Sequence, residues 1–303
     1  MYNFDIISDS LKPLCSELCI KEPMSRHTTF KIGGKADFYL KAENISQLKS
    51  ITELCRENGV PYMVIGRGSN LLMPDDEIHA VIIELSGEFK NIKLTDDTTV
   101  FCGAGTSLSA LCVFARDNGL TGLEFAYGIP GSAGGAVYMN AGAYGGEMKN
   151  VVYKTIHLTA DGAVEEAAAD KLDFGYRHSL YSGKNHIITG VYLRLHKGDR
   201  DAIGALMEDY MARRRAKQPL EYPSAGSVFK RPEGYYAGAL IEECNLKGAR
   251  IGDAQVSEKH AGFIVNKGSA TCKDVCELID LIKKTVLQQK GVELEQEIKA
   301  VSL

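Results

Sequence analysis

An α+β fold in more than one compact unit is what this sequence predicts, on three observations. Apolar strand-like segments and amphipathic helices are segregated along the chain instead of alternating as regular strand–helix pairs. Three loops of small residues each follow an apolar strand-like segment: Gly66-Arg67-Gly68-Ser69-Asn70, Gly103-Ala104-Gly105-Thr106-Ser107 and the long stretch Phe125–Met148. With 303 residues, the chain can bury two or three separate cores.

Taken in order, residues 1–24 read as a short helical leader punctuated by Pro13 and Pro23, and Asp37–Lys41 as a strand. Asn44 caps the helix that follows, with Gln47 three residues on and Ile45, Leu48, Ile51 and Leu54-Cys55 at helical spacing. Gly59 ends that helix, and Tyr62–Ile65 is a strand feeding the Gly66 loop. Strands follow near Val81–Leu85, Ile92–Leu94 and Val100–Cys102, then the Gly103 loop and a helix from Leu108 to Asn118 stopped by Gly119. Beyond Met148, Val151–Leu158, an Asp161-Gly162 turn and Ala163–Ala167 form a hairpin, and His186–His196 alternates well enough to close the sheet. Asp199–Lys217 is a helix ending in Arg213-Arg214-Arg215-Ala216-Lys217 before Pro219, and a domain boundary falls near Gly198. The remainder holds a loop at Tyr222–Lys230, a helix at Tyr235–Cys244, and strands near Ala254–Val256 and Phe263–Asn266. A long helix at Lys273–Gln289 and a final strand at Leu294–Val301 complete it.

Composition narrows the class. At 45% hydrophobic and 24% charged, the chain has the make-up of an ordinary water-soluble globular protein. A net charge of −4 argues against nucleic acid or an anionic membrane as the main partner. The start, Met1-Tyr2-Asn3-Phe4-Asp5, has no basic export signal, and apolar runs such as Ala80-Val81-Ile82-Ile83 are too short to span a bilayer, so a cytoplasmic location is expected. The eight cysteines include no Cys-x-x-Cys pair; Cys15/Cys19 and Cys272/Cys276 have helical i,i+4 spacing. Reduced thiols fit this better than a disulfide or metal framework, and no histidine spacing suggests a metal ligand set. The sequence sets no oligomeric state.

The central stretch carries glycines at 128, 131, 134, 135, 142, 145 and 146, too dense for a regular element. Each permits positive φ or removes a side chain so that backbone can approach a neighbour. Pro130 stiffens the entry, and Ser132 sits where backbone N–H groups can converge on an oxygen-rich ligand. Three such loops point to one large phosphate-bearing ligand held by backbone. None contains Gly-x-Gly-x-x-Gly between a strand and a helix or Gly-x4-Gly-Lys-Ser/Thr, which disfavours the dinucleotide fold with that fingerprint and the P-loop.

Together with His27-Thr28-Thr29-Phe30-Lys31-Ile32-Gly33-Gly34, these loops resemble the UDP-N-acetylenolpyruvoylglucosamine reductase (MurB) family, from about Ser25 to the C-terminus. The resemblance implies an FAD-binding fold of the vanillyl-alcohol-oxidase (PCMH) type at 25–197, after a leader at 1–24. A C-terminal α+β substrate-binding domain would follow at 198–303. It implies non-covalent FAD at Gly66, Arg67, Gly68, Ser69, Asn70, Gly103, Gly105, Gly131, Ser132, Gly134 and Gly135. NADPH would be co-substrate and a UDP-sugar the substrate, with no nucleic acid or membrane partner. The space between Leu195 and Pro219 leaves no room for the tyrosine-bearing loop of one branch, so the chain resembles the shorter type.

Three residues stand where the family has its catalytic groups. Arg177, in Phe174-Gly175-Tyr176-Arg177-His178-Ser179, reads on spacing alone as a surface or ion-pair residue, or as a planar cationic fork for a carboxylate. Ser227, in Ser224-Ala225-Gly226-Ser227-Val228-Phe229-Lys230, is a turn serine or a proton donor; no Gly-x-Ser-x-Gly elbow is present. Glu295 and Glu297 read as a pair of solvated charges on a strand, and the resemblance selects Glu297, with Gln296 where the family usually has proline. Lys217, Lys230 and Arg231 form either a solvated basic face or the contacts for two phosphates. The implied reaction is ping-pong. NADPH reduces FAD by hydride transfer and leaves, and the enolpyruvyl sugar nucleotide takes the hydride at its methylene carbon. Arg177 and Glu297 would steady the carboxylate while Ser227 protonates the adjacent carbon. Two rivals remain: a same-fold flavin oxidase or dehydrogenase, and a non-catalytic sugar-nucleotide-binding module.

Overall fold

The computed structural model describes residues 3–302 and resolves them into two compact units, each around its own core. The first takes the residues up to 20, 38–66 and 80–214; the second takes 21–37, 67–79 and 215 onward. The units are therefore not consecutive stretches of sequence, and the helix beginning at Arg200 runs with the first unit as far as Arg214.

In the first unit, helix α1 (Phe4–Leu11) is capped by Asn3, whose side chain accepts from the Ile6 N–H, and it buries Ile7 and Leu11. The expected helical leader stops there. Residues Glu17–Pro23 form a strand beside Lys35–Ala42, because a sheet edge offers this segment backbone partners and it lacks a helical apolar face. Cys15 and Cys19 consequently share no helix. Helix α2 (Ile45–Glu57) starts where the Gln47 N–H donates to Asn44 Oδ1 at 3.0 Å and buries Leu48, Ile51 and Cys55. It leads to strand Tyr62–Ile65, which runs parallel to Ile78–Leu85 with Tyr62 opposite Val81.

The first unit also contains a five-stranded antiparallel sheet, in the order 164–168, 152–158, 187–194, 99–103, 92–94. Strand Ile187–Arg194 lies in the middle of this sheet. It is buried along most of its length, which is why its polar alternation is imperfect. Helix α3 (Leu108–Asp117) is capped by Ser107 and closed by Gly119 at φ +63°.

The glycine-rich stretch holds an element the sequence hid: Ala133–Tyr138 is a short helix, α4, capped by Ser132. Its glycines weaken the helix by roughly 1 kcal/mol each, but Ala133, Ala136 and Val137 are buried in the core and compensate. Helix α5 (Arg200–Lys217) packs Ile203 and Met207 into the same core and fills the interval before Pro219 as one continuous element.

In the second unit, short strands 250–251, 254–256 and 264–266 form an antiparallel sheet packed against helix α7 (Cys272–Lys290), which in turn packs against helix α6 (Ala237–Glu243). Helix α7 buries Val275, Leu278, Ile279, Ile282 and Val286 along one face, each worth about 1.5–3 kcal/mol relative to exposure. Its start is doubly fixed. Thr271 and Asp274 make a reciprocal capping box, and the Asp75 carboxylate accepts from the Cys272 N–H (2.7 Å) and the Lys273 N–H (3.0 Å). The final strand expected over Leu294–Val301 is broken into pieces: Gln296 stands opposite Phe229, and Lys299–Ala300 runs parallel to Leu71–Leu72. The interruption is a β-bulge in which two successive N–H groups, of Glu297 and Ile298, approach the Val228 carbonyl at 2.7 and 3.5 Å.

Candidate active site

In the first unit the second and third small-residue loops lie against each other. Ser107 and Ser132 form an antiparallel bridge, the Ala133 N–H donates to the Thr106 carbonyl and the Gly134 N–H to the Ala104 carbonyl. The N–H groups of Gly103, Ala104, Gly105, Thr106 and Gly131 likewise bond to protein carbonyls, so these donors are not available to a phosphate. The glycines divide by what a side chain would meet. At Gly103 and Gly105 a Cβ would strike the backbone of Phe89 and Leu85, and at Gly134 it would lie 2.8 Å from the Ala104 Cβ. Those three are glycine for protein packing. Gly131 has no atom nearer than 3.6 Å, and Gly135 meets only the Ser132 hydroxyl, at 3.3 Å.

This second group fits a bound flavin. Gly131 and Gly135 present backbone with space in front of it, and Gly66, where a Cβ would meet the Ser132 side chain, is exposed beside them. At the junction of the two loops the buried Thr106 hydroxyl has no hydrogen-bond partner among the described residues. Such an orphan costs about 1–3 kcal/mol unless a ligand or water engages it.

The division gives a prediction. Gly134→Val should lower stability by about 1–3 kcal/mol through overpacking against Ala104. Gly135→Val should keep its melting temperature and lose flavin. Thermal melts and flavin content of the two variants check this; equal flavin retention in Gly135→Val and wild type would contradict it.

Arg177 lies at the tip of a tight turn in which the Gly175 and His178 backbones exchange hydrogen bonds at 3.1 and 3.3 Å. Its φ is +56°, a region that favours glycine and costs an L-residue roughly 1–2 kcal/mol. The turn is pinned from two sides. The Asn140 amide donates to the Gly175 carbonyl (2.9 Å), and the Ser179 hydroxyl to the Tyr138 carbonyl (2.8 Å), so the end of α4 carries the arginine turn. The Arg177 guanidinium lies 5.0 Å from the Tyr176 ring centre. Sequence reasoning missed Asn140 and Ser179 as anchors; the available signal was an asparagine two residues after a glycine-rich helix, here at φ +41°.

Ser227 and Glu297 lie on neighbouring segments of the second unit. Ser227 bridges Phe263 on one side, with the Val228 N–H donating to the Gly262 carbonyl, and the bulge at Glu297 and Ile298 meets Val228 on the other. Both residues are half-buried. Bulges redirect side chains, which gives Gln296, in place of the family's proline, a ladder partner at Phe229. Arg67, Gly68, Ser69 and Asn70 also belong to this unit. Gly68, at φ +59°, faces the His27 carbonyl closely, and the Asn70 amide donates to the Glu297 carbonyl at 3.3 Å.

The basic residues are not equivalent. Lys230 is paired with Glu295 at 2.5 Å, Arg231 stacks 4.0 Å from the Tyr236 ring centre, and Lys217 is exposed at the end of α5. Among the described residues one cluster is of metal-ligand type, Asp37, Glu77 and His79, and the Lys21 ammonium lies 2.8 Å from both its carboxylates.

Next to Phe263, which Ser227 bridges, His260 accepts from the Gly262 N–H through Nδ1 and meets the Phe263 ring edge-on. Burial, helped by the positive charges of Lys247 and Lys217, pushes its pKa below the usual histidine value. The unfolded chain therefore binds more protons near and below pH 6.5. This stability contribution is present above that pH and lost as the pH falls. Melting curves at pH 7.5 and 5.5 should show a smaller acid loss in His260→Gln than in wild type; an equal loss would contradict the assignment.

Comparison with known proteins finds relatives across nearly the whole chain. A family model described as an FAD binding domain matches residues 36–168, and one described as the UDP-N-acetylenolpyruvoylglucosamine reductase C-terminal domain matches 218–301. The UDP-N-acetylenolpyruvoylglucosamine reductase of Syntrophomonas wolfei is 46% identical over 295 residues, 97% of this chain and 98% of that protein. That of Alkaliphilus oremlandii is 50% identical over 93% of this chain and 92% of its own length. The crystal structure of the enzyme from Thermus caldophilus superposes with a TM-score of 0.80 at 38% identity, covering 94% of this chain and 98% of that one. With both family models matched in order and relatives of this identity spanning nearly its whole length, the chain belongs to the UDP-N-acetylenolpyruvoylglucosamine reductase (MurB) family.

Proposed function

We propose that this chain reduces UDP-N-acetyl-3-O-(1-carboxyvinyl)glucosamine to UDP-N-acetylmuramate with NADPH and non-covalent FAD. The reaction would serve peptidoglycan precursor synthesis in the bacterial cytoplasm, and through it cell shape and division. Functionally, 25–197 would hold the cofactor and 198–303 the sugar nucleotide. FAD, when bound, supplies the redox chemistry by passing two electrons from NADPH to the enolpyruvyl double bond. Gly66, Gly131, Ser132 and Gly135 would hold it, with Thr106 offering a hydroxyl and Arg67 and Ser69 contributing from their loop.

The protein's own groups do the rest. Arg177 presents two parallel donors to the substrate carboxylate, and its retention in a backbone region that favours glycine supports use of the side chain. Glu297 can steady the same group as it gains charge only by donating, and so acts protonated. The Ser227 hydroxyl delivers a proton to the carbon bearing the carboxylate; the acceptor is basic enough for a weak acid to suffice. Lys217, Lys230 and Arg231 would meet the diphosphate, Lys230 by exchanging Glu295 for a phosphate oxygen.

The observation that carries this reading is the bulge that sets Glu297 beside the Ser227 segment in a chain of this family. The purified protein should be yellow, release FAD on acid or heat denaturation, and convert the enolpyruvyl substrate to a product heavier by two hydrogen atoms. A colourless protein that takes up no added FAD would leave a sugar-nucleotide-binding module. A yellow protein that oxidises alcohols or lactones and leaves the enolpyruvyl group intact would be a same-fold oxidase.

A further inference from the structure

We infer that Asn70 is a positioning residue for Glu297, and that its place in a small-residue loop serves the carboxylate and not the flavin. The inference rests on the proposed function for the role of Glu297. Asn70 grips the chain on both sides of Ile298: its side-chain amide donates to the Glu297 carbonyl at 3.3 Å, and its own carbonyl accepts from the Lys299 N–H at 2.9 Å. The next two residues continue the grip, with Leu71 and Leu72 in parallel register with Lys299 and Ala300 and the Val301 N–H donating to the Leu72 carbonyl.

On its other face Glu297 donates its N–H to the Val228 carbonyl at 2.7 Å, one residue from Ser227. The backbone of Glu297 is thus held at both its polar groups, by the Ser227 segment and by Asn70. A bulge needs such holding. It interrupts the ladder that would otherwise fix the residue, and the aim of a three-torsion side chain depends on where its Cα is held. Gly68 and Asp75 keep the Asn70 loop in place, Gly68 through its fit against His27 and Asp75 through its two hydrogen bonds to the start of α7.

Without the amide, the Glu297 carbonyl loses its side-chain donor and the carboxylate shifts. Misplacement of a reacting group by about 1 Å costs on the order of 10²-fold in rate. The test uses the flavin-loaded full chain without oxygen, with Asn70→Ala and the similarly sized Asn70→Asp, in which the donor becomes an acceptor. Both should keep FAD and bleach with NADPH at the wild-type rate, while reoxidation by the enolpyruvyl sugar nucleotide slows by roughly 10²-fold. Combined with Glu297→Ala, which removes the donating group, neither should slow reoxidation further, because the two changes remove one function.

Loss of FAD or slowed bleaching in the Asn70 variants would overturn the inference and make Asn70 a flavin ligand. Additive slowing in the double variant would overturn it as well. Should Asn70→Ala not fold, Asn70→Asp alone decides between the same outcomes. A wild-type protein that bleaches with NADPH and is not reoxidised by the sugar nucleotide would instead overturn the proposed function.

Discussion

Ser227→Ala is expected to retain FAD, bleach normally with NADPH in the absence of oxygen, and fail at the second half-reaction. A group that only protonates the substrate carbon has no part in moving electrons from NADPH to FAD. General acid catalysis contributes about 10²–10⁴-fold, so flavin reoxidation by the enolpyruvyl sugar nucleotide should slow by at least the lower figure. Substrate affinity should change little, since one hydroxyl is lost while the proposed charged contacts to the carboxylate and diphosphate remain. The fold should also survive: the bonds that organise this segment, from the Val228 N–H to Gly262 and from the Glu297 N–H to Val228, are backbone bonds. Stopped-flow absorbance of each half-reaction separates the outcomes. Equal slowing of both would indicate a flavin-binding or folding role for Ser227. No slowing of either would make Glu297 or a water the acid.

Arg177→Lys should be almost as damaging, although it conserves the charge. A lysine ammonium offers a point charge where the guanidinium offers a planar fork. Losing an oriented donor at a site where charge develops costs roughly 10²–10³-fold. The defect should again fall on reoxidation, because the turn that carries Arg177 is pinned to α4 by Asn140 and Ser179 through bonds to other residues. Unaltered reoxidation in the lysine variant would reduce Arg177 to a point charge or a bystander. A glycine variant adds a useful contrast. It should stabilise the turn by relieving the positive φ and yet be inactive, the pairing expected where strain is kept for function.

The fold was legible where local chemistry decides it. Asn44 caps α2 and Gly119 ends α3 where the sequence places them, and the hairpin around Gly162 forms where the Asp-Gly turn places it. It was not legible where tertiary contacts override local preference. Glu17–Pro23 becomes a strand because Lys35–Ala42 is there to pair with, and Ala133–Tyr138 becomes a helix despite its glycines because its alanines are buried.

The candidate site divides in the same way. Arg177, Ser227 and Glu297 stand in motifs that can be read along the chain. The groups that hold them cannot, because the Asn70–Glu297 bond joins residues 227 apart and the Asn140–Gly175 bond residues 35 apart. Neither leaves a periodic signal. Glycine density is ambiguous for a related reason. Gly103, Gly105 and Gly134 are small to admit protein, Gly131 and Gly135 face open space, and the sequence cannot tell these apart.

The central claim, that electrons taken from NADPH pass through a bound flavin to an enolpyruvyl sugar nucleotide, is tested most directly on the wild-type protein without oxygen. The flavin-loaded chain is bleached with one equivalent of NADPH, freed of nicotinamide, and mixed with UDP-N-acetyl-3-O-(1-carboxyvinyl)glucosamine while the flavin absorbance is followed. The account predicts that the yellow colour returns within the time of a single turnover and that UDP-N-acetylmuramate forms in equal amount. A flavin that stays bleached until oxygen is admitted would contradict it.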